Sequence, residues 1–101
     1  MLNIEKVQND TELTLKLEGR LDTLMAPKLE EDLRASIQGI TRLVFDMKKL
    51  QYVSSAGLRV LLAAQKIMNK QGEMLLTGVN EVLMEIFEIT GFVDILTIEE
   101  G

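Results

Sequence analysis

The chain contains no cysteine and no histidine, and these two absences remove most of the side chains used in catalysis and metal binding. Without cysteine there is no disulfide framework, no thiolate metal site and no cysteine nucleophile. Without histidine there is no Ser-His relay, no imidazole base and no His-ligated zinc. Carboxylates, lysines and hydroxyls remain, and no glycine-rich phosphate loop accompanies them. We therefore expect a protein that is not an enzyme and has no cofactor and no metal.

Long apolar runs, linkers and basic clusters are also missing. No stretch approaches the roughly 18 to 20 consecutive apolar residues of a membrane helix. Residues 1–6 have neither the basic opening nor the apolar core of a signal peptide, so we expect a cytoplasmic protein that does not bind membranes. Sixteen acidic against eleven basic residues give a net charge of -5, which argues against a nucleic-acid partner. With 101 residues and a single proline, we expect one domain over 1–101.

The period of the apolar residues predicts the strands. Apolar and polar residues alternate over 12–18, which is typical of a strand with one exposed face, and residues 2–7 complete a hairpin that closes on Asn9-Asp10. The run Leu43-Val44-Phe45 predicts a central strand that is covered on both faces and ends at Asp46. Residues 74–76 and 95–98 predict two more short strands.

Three segments have helical spacing. The first extends over about 25–38, with Pro27 near its start, and stops at Gly39. The second runs from Ser55 to Gln71, and its predicted apolar arc consists of Val60, Leu61, Ala63, Ala64, Ile67 and Met68. The third is capped by Asn80 and ends at Gly91.

The predicted element order is β-β-α-β-α-β-α-β. Right-handed βαβ crossovers then give an α/β domain with a mixed, mostly parallel sheet of about five strands and helices packed on it.

The start of the second helix carries two serines and two small residues. A serine hydroxyl at this position accepts a hydrogen bond from an unpaired backbone N–H, and small Ala56 and Gly57 let another chain approach the first turn. The same N–H groups and the positive end of the helix dipole also favour a phosphate. The pattern therefore predicts a capped helix, a phosphorylation site, or both.

Three motifs resemble the STAS domain of the anti-sigma factor antagonist group over nearly the whole chain. They are residues 19–22 (GRLD), 50–62 (LQYVSSAGLRVLL) and 87–92 (FEITGF). The resemblance implies that Ser55 is phosphorylated by a partner kinase and that Asp22 lies near it. Many members have aspartate where this chain has Ser54 and glycine where it has Arg59. Ser54 is therefore a second candidate acceptor, and Arg59 adds a positive charge within about one turn.

The resemblance also implies partner switching. The unphosphorylated protein would bind an anti-sigma factor with serine-kinase activity, phosphorylation of Ser55 would release it, and a PP2C-type serine phosphatase would reset the cycle that regulates transcription. We expect the free protein to be a monomer. The alternative is a constitutive STAS adaptor subunit of a transporter or signalling scaffold, without phosphorylation.

The expected partner surface surrounds the serines and consists of Asp22, Met25, Ser54, Ala56, Gly57, Leu58 and Arg59. Leu58 and Leu62 lie off the main apolar arc, so we predict an exposed contact at Leu58; shielding by a neighbouring helix is the alternative. Leu24 and Met25 either extend this patch or serve packing. Asp22 either belongs to the interface or is a plain loop or cap residue that serves the first helix.

Overall fold

The computed structural model describes residues 1–99, which form a four-stranded sheet and three α-helices. The elements are β1 (Leu2–Asn9), β2 (Glu12–Leu21), α1 (Ala26–Ser36), β3 (Arg42–Val53), α2 (Ser55–Gln71), β4 (Glu73–Thr77), α3 (Glu81–Thr90) and a 3-10 helix (Phe92–Asp94). The strand order is β1-β2-β3-β4; β1 is antiparallel to β2, and the other two pairs are parallel. The predicted α/β domain with a mixed, mostly parallel sheet is confirmed.

The N-terminal hairpin follows the predicted alternation. Leu13, Leu15 and Leu17 of β2 are buried on one face, whereas Lys16 between them is exposed. The turn joining β1 to β2 contains Asp10, whose φ of 61° lies in the left-handed region that aspartate tolerates. The predicted hairpin is confirmed, and its turn consists of Asp10 and Thr11, because Asn9 is still part of β1 and pairs with Glu12.

The core lies between one face of the sheet and the helices. Directly paired residues of β2, β3 and β4 form its two central rows, which are Leu13, Leu43 and Met74, then Leu15, Phe45 and Leu76. On the other face, Thr14, Val44 and Leu75 are only half-buried. The prediction that residues 43–45 are covered on both faces is therefore wrong, because the helices leave the Val44 face open.

Strand β3 also continues past Asp46 as far as Val53. Its second half pairs with the end of β2 through register irregularities between Lys16 and Glu18 and between Gly19 and Arg20. Such irregularities break the two-residue alternation by which a strand is recognised in a sequence. The extra length carries the chain directly from the centre of the sheet to the first turn of α2.

The predicted fifth strand at 95–98 is reduced to a single bridge. Ile98 pairs in parallel with Leu76, whose N–H donates to the Thr97 carbonyl at 2.9 Å and whose carbonyl accepts from the Glu99 N–H at 2.9 Å. The 3-10 helix Phe92–Asp94 comes directly before the predicted strand. The described sheet therefore has four strands plus one bridged pair at its edge.

All three predicted helices are present, and the ends of α2 and α3 agree with the sequence signals, whereas α1 ends at Ser36, before the predicted stop at Gly39. The Asn80 side chain accepts from the Leu83 N–H at 2.9 Å, and Gly91 ends α3 with a φ of 81°. Gly72 follows α2 directly, as predicted. Within residues 1–99, none of the helices has the length and apolar character required to cross a membrane.

The buried side of α2 differs from the predicted arc. Its buried residues are Gly57, Leu58, Val60, Leu61, Ala64, Gln65 and Met68, whereas Ala63 and Ile67 are exposed. Because α2 packs against α1, β3 and β4 together, its buried arc is rotated toward Leu58. The prediction of an exposed apolar contact at Leu58 is therefore wrong: this side chain is only 5% exposed.

Candidate functional site: the Ser55 turn

The ends of β2 and β3 bring two distant motifs together at one edge of the sheet. Leu21 pairs with Val53, and the Ser54 N–H donates to the Leu21 carbonyl at 2.8 Å. Asp22 follows Leu21 directly, so the motif at 19–22 lies beside the first turn of α2. We call residues 54–59 the Ser55 turn.

Ser54 is the helix cap. Its backbone is extended, with φ of -83° and ψ of 171°, and its hydroxyl oxygen accepts from the Gly57 N–H at 3.1 Å. Its carbonyl accepts from the Leu58 N–H at 2.9 Å. The residue is only 6% exposed, so the Ser54 hydroxyl is occupied by capping and is covered by the protein.

Ser55, in contrast, is exposed and is the first residue of α2. The first N–H groups of a helix have no carbonyl partner within the helix, and they carry the positive end of its dipole. A phosphate on the Ser55 hydroxyl would lie beside these groups, where an anion is favoured. Of the two adjacent serines, Ser55 alone has the exposure that a modifying enzyme requires.

Gly57 is required by the packing of α2 against β2. A Cβ at this position would lie 2.7 Å from Leu21 Cγ and 3.0 Å from the Leu21 carbonyl oxygen. The predicted close approach to the first turn is therefore made by this protein's own β2. Because Gly57 is buried, its small size serves to position the Ser55 turn.

Asp22 stabilises the connection from β2 to α1. Its Oδ1 accepts from the Met25 N–H at 2.9 Å, and its carbonyl accepts from the Ala26 N–H at 3.0 Å. Such a bond from an aspartate to a nearby backbone N–H is typical of turns that lead into helices. The structure thus shows the turn role, while the half-buried position of Asp22 leaves part of its surface open to solvent.

Leu24, which lies between Asp22 and the start of α1, is an exposed apolar side chain. Its exposed fraction is 85%, whereas Met25 is half-buried and packs against the core. The sequence pattern did not single out Leu24, because a pair of adjacent apolar residues does not show which one faces solvent. The one sequence feature that could have pointed to Leu24 is its position two residues after Asp22.

Two positive charges flank the site. Arg59 is exposed and lies four residues after Ser55, which places the two side chains on the same face of α2. Arg20 stacks on the Tyr52 ring, with its guanidinium carbon 4.5 Å from the ring centroid. This pair precedes Leu21 and Val53 at the same sheet edge, and sequence reasoning did not find it, because a register irregularity brings the two residues opposite each other.

Comparison with known proteins agrees with this fold and motif arrangement. The family model described as STAS domain matches residues 3–101, so the chain belongs to the STAS domain family. Within that family it belongs to the anti-sigma factor antagonist group. It is 33% identical over 102 residues to the anti-sigma-B factor antagonist of Staphylococcus aureus, covering 99% of this chain and 94% of that protein.

Two further proteins show the same likeness. BtrV of Bordetella bronchiseptica is 38% identical over 99 residues, covering 96% of this chain and 84% of that protein. The Bacillus cell fate determinant SpoIIAA, solved in its phosphorylated form, superposes with a TM-score of 0.76 at 15% identity, covering 100% of this chain and 91% of that one. At that identity, the second likeness concerns the fold alone.

Proposed function

We propose that this protein is a phosphorylation-controlled partner switch with Ser55 as its acceptor. When Ser55 is unphosphorylated, the Ser55 turn and the adjoining residues 22–25 bind an anti-sigma factor that has serine-kinase activity. Phosphorylation of Ser55 releases the complex and thereby regulates transcription. The protein is the substrate of this cycle and not its catalyst.

The contrast between the two serines is the observation that carries the proposal. Ser55 is exposed at the first position of α2, whereas Ser54 is 6% exposed and its hydroxyl is used in the cap. The names of the relatives point in the same direction: the Staphylococcus protein is an anti-sigma-B factor antagonist, and SpoIIAA has been solved in both unphosphorylated and phosphorylated forms.

The proposed modification is an ordinary phosphoryl transfer. The Ser55 Oγ attacks the γ-phosphorus of ATP bound on the kinase, the bond to the β-γ bridging oxygen breaks, and ADP leaves. The hydroxyl proton passes to a base on the kinase. A PP2C-type serine phosphatase reverses the change by transferring the phosphoryl group to water, which restores the hydroxyl.

The phosphate acts through its charge. It adds about -1.5 to -2 charges at neutral pH, at a turn that would be buried against the partner in the complex. In the free protein, Arg59 is placed to pair with it from the next turn of the helix. The free phosphorylated protein is therefore stabilised relative to the complex.

Phosphate labelling tests the choice of acceptor. With an anti-sigma factor kinase from the same organism and labelled ATP, we expect label on the wild type and on Ser54→Asn, which retains a capping oxygen. We expect none on Ser55→Ala. Label that persists in Ser55→Ala would transfer the role to another hydroxyl, and an unlabelled wild type that still binds the kinase would favour the constitutive adaptor.

Asp22 provides a second test, because its charge and its hydrogen bond can be separated. Asp22→Asn keeps an oxygen for the Met25 N–H, so the free energy of unfolding should change by less than about 0.5 kcal/mol. Loss of the carboxylate charge should nevertheless weaken kinase binding. Asp22→Ala should lose about 1 kcal/mol of stability as well.

Titration of each Asp22 variant against the kinase, beside a urea melt, measures both effects. If Asn and Ala reduce stability and affinity in parallel, Asp22 serves the turn alone.

A further inference from the structure

Helix α3 carries a second apolar column that the fold does not bury. Leu83 and Phe87 are fully buried and attach α3 to the core. Val82, Ile86 and Ile89 follow at spacings of four and three, so they share a neighbouring face of the same helix. Val82 is 56% exposed, Ile89 is 77% exposed and Ile86 is half-buried. We call these three residues the α3 ridge.

Exposed apolar residues continue beyond the end of α3. Val93 and Ile95 are also exposed, so residues 82–95 hold four of the eight large exposed apolar side chains of the described chain. Single exposed apolar residues are normal on protein surfaces, whereas apolar residues that share one helix face, as in the α3 ridge, are typical of an interaction site.

The charge beside the α3 ridge has one sign. Glu81, Glu85 and Glu88 form a column on the side of the ridge away from Leu83 and Phe87. No lysine or arginine follows Lys70, so residues 71–101 carry seven acidic residues and no base, whereas residues 1–70 have a net charge of +2. Within residues 1–99, none of the three glutamates of the column forms an ion pair.

We propose that the α3 ridge docks a basic amphipathic helix of a partner protein. Anchors at positions i, i+4 and i+7 are the pattern by which two helices pack through apolar faces, and Val82, Ile86 and Ile89 have this spacing. The adjacent column of glutamates favours lysine and arginine beside the partner's apolar face. A second copy docking through the same surface would bring two acidic columns together, and an anionic membrane would be repelled.

The α3 ridge shares no residue with the Ser55 turn. None of its residues belongs to 22–25 or to 54–59, and its charge is opposite to that of Arg59. The proposal therefore goes beyond the phosphorylation switch and holds whether or not Ser55 is phosphorylated.

A designed helical peptide of leucine and lysine, labelled with fluorescein, is a suitable probe, and its binding is followed by fluorescence anisotropy. We expect Ile89→Ser to weaken binding about tenfold, because Ile89 is the most exposed residue of the ridge and truncating an apolar anchor typically costs this much. Ile67→Ser is the matched control, since Ile67 is an exposed isoleucine on α2. We expect that variant to bind like the wild type, and both variants to melt at the wild-type temperature. A peptide with glutamate in place of lysine should not bind.

Three results would overturn the proposal. Equal losses in Ile89→Ser and Ile67→Ser, or no loss in either, would show that the peptide does not use the α3 ridge. Equal binding of the glutamate peptide would remove the role of the acidic column. Concentration-dependent dimers in sedimentation that Ile89→Ser abolishes would identify a second copy as the occupant. Repeating the titration with Ser55→Ala keeps this test separate from the switch, because the peptide should bind that variant unchanged.

Discussion

A phosphoryl group on Ser55 is expected to weaken binding of the anti-sigma factor kinase by roughly thirtyfold or more without unfolding the protein. An unpaired charge buried at an interface typically costs about 2 to 5 kcal/mol, and about 2 kcal/mol corresponds to roughly thirtyfold in affinity. In the free protein the same charge lies at an exposed helix N-terminus, where it is favourable by about 0.3 to 1 kcal/mol. The phosphate therefore penalises the complex and not the fold.

Calorimetric titration of the phosphorylated and unphosphorylated proteins with the kinase measures the change in affinity. A thermal melt of each protein measures the change in stability. The melting temperature should be unchanged or slightly higher after phosphorylation. A fall of several degrees would indicate that the phosphate acts by changing the conformation of the domain. Arg59→Gln is a further control, because it removes the positive charge on the same face of α2 as Ser55. It should reduce any gain in melting temperature that phosphorylation causes.

Leu58→Ala should destabilise the protein by about 2 to 5 kcal/mol, the usual range for truncating a buried leucine. Leu58 is 5% exposed within the core that α2 forms with the sheet. Leu24→Ala, in contrast, removes a side chain that is 85% exposed beside Asp22. We expect it to leave stability within about 0.5 kcal/mol and to reduce affinity for the kinase by more than about 1 kcal/mol.

The two leucine variants form a matched pair, since the same atoms are removed from a buried and an exposed position near one site. Urea unfolding of both variants measures the loss of stability, which we expect for Leu58→Ala. Titration of both variants with the kinase measures the loss of affinity, which we expect for Leu24→Ala. A stable Leu58→Ala with weakened binding would contradict the buried position found here. An unchanged affinity in Leu24→Ala would exclude that side chain from the interface.

Much of the fold was predictable because local patterns and tertiary burial agree. The alternation over 12–18 matches the buried Leu13, Leu15 and Leu17, and the Asn80 cap matches the start of α3. In such segments the period of the apolar residues, the turn chemistry and the caps all point to one structure. The α/β class followed from the order of these elements.

The remaining differences arise where long-range pairing overrides a local pattern. The second half of β3 is a strand because β2 pairs with it through register irregularities that hide the alternation. The Val44 face is open although residues 43–45 are all apolar, because a short apolar run does not show how many layers cover it. Leu58 is buried because α2 contacts three elements, which a wheel of one isolated helix does not contain.

The position of the candidate site was predictable from the sequence, but the structural role of each of its residues was not. The resemblance to the STAS family implied that Asp22 lies near Ser55, and the bond from the Ser54 N–H to the Leu21 carbonyl provides the connection. Which serine is the cap and which is exposed depends on where the first turn of α2 begins, and a sequence gives such boundaries only to within a few residues. The same uncertainty applies to the pair before α1, of which Leu24 is exposed and Met25 packs against the core.

The most direct measurement of the proposed switch is a nuclear magnetic resonance titration of the isotope-labelled protein with the anti-sigma factor kinase, without ATP. The largest amide shift changes should fall at residues 22–25 and 54–59, and they should be absent when Ser55 is fully phosphorylated. Changes confined to the open sheet face around Val44, or equal changes with and without the phosphate, would contradict a partner switch at Ser55.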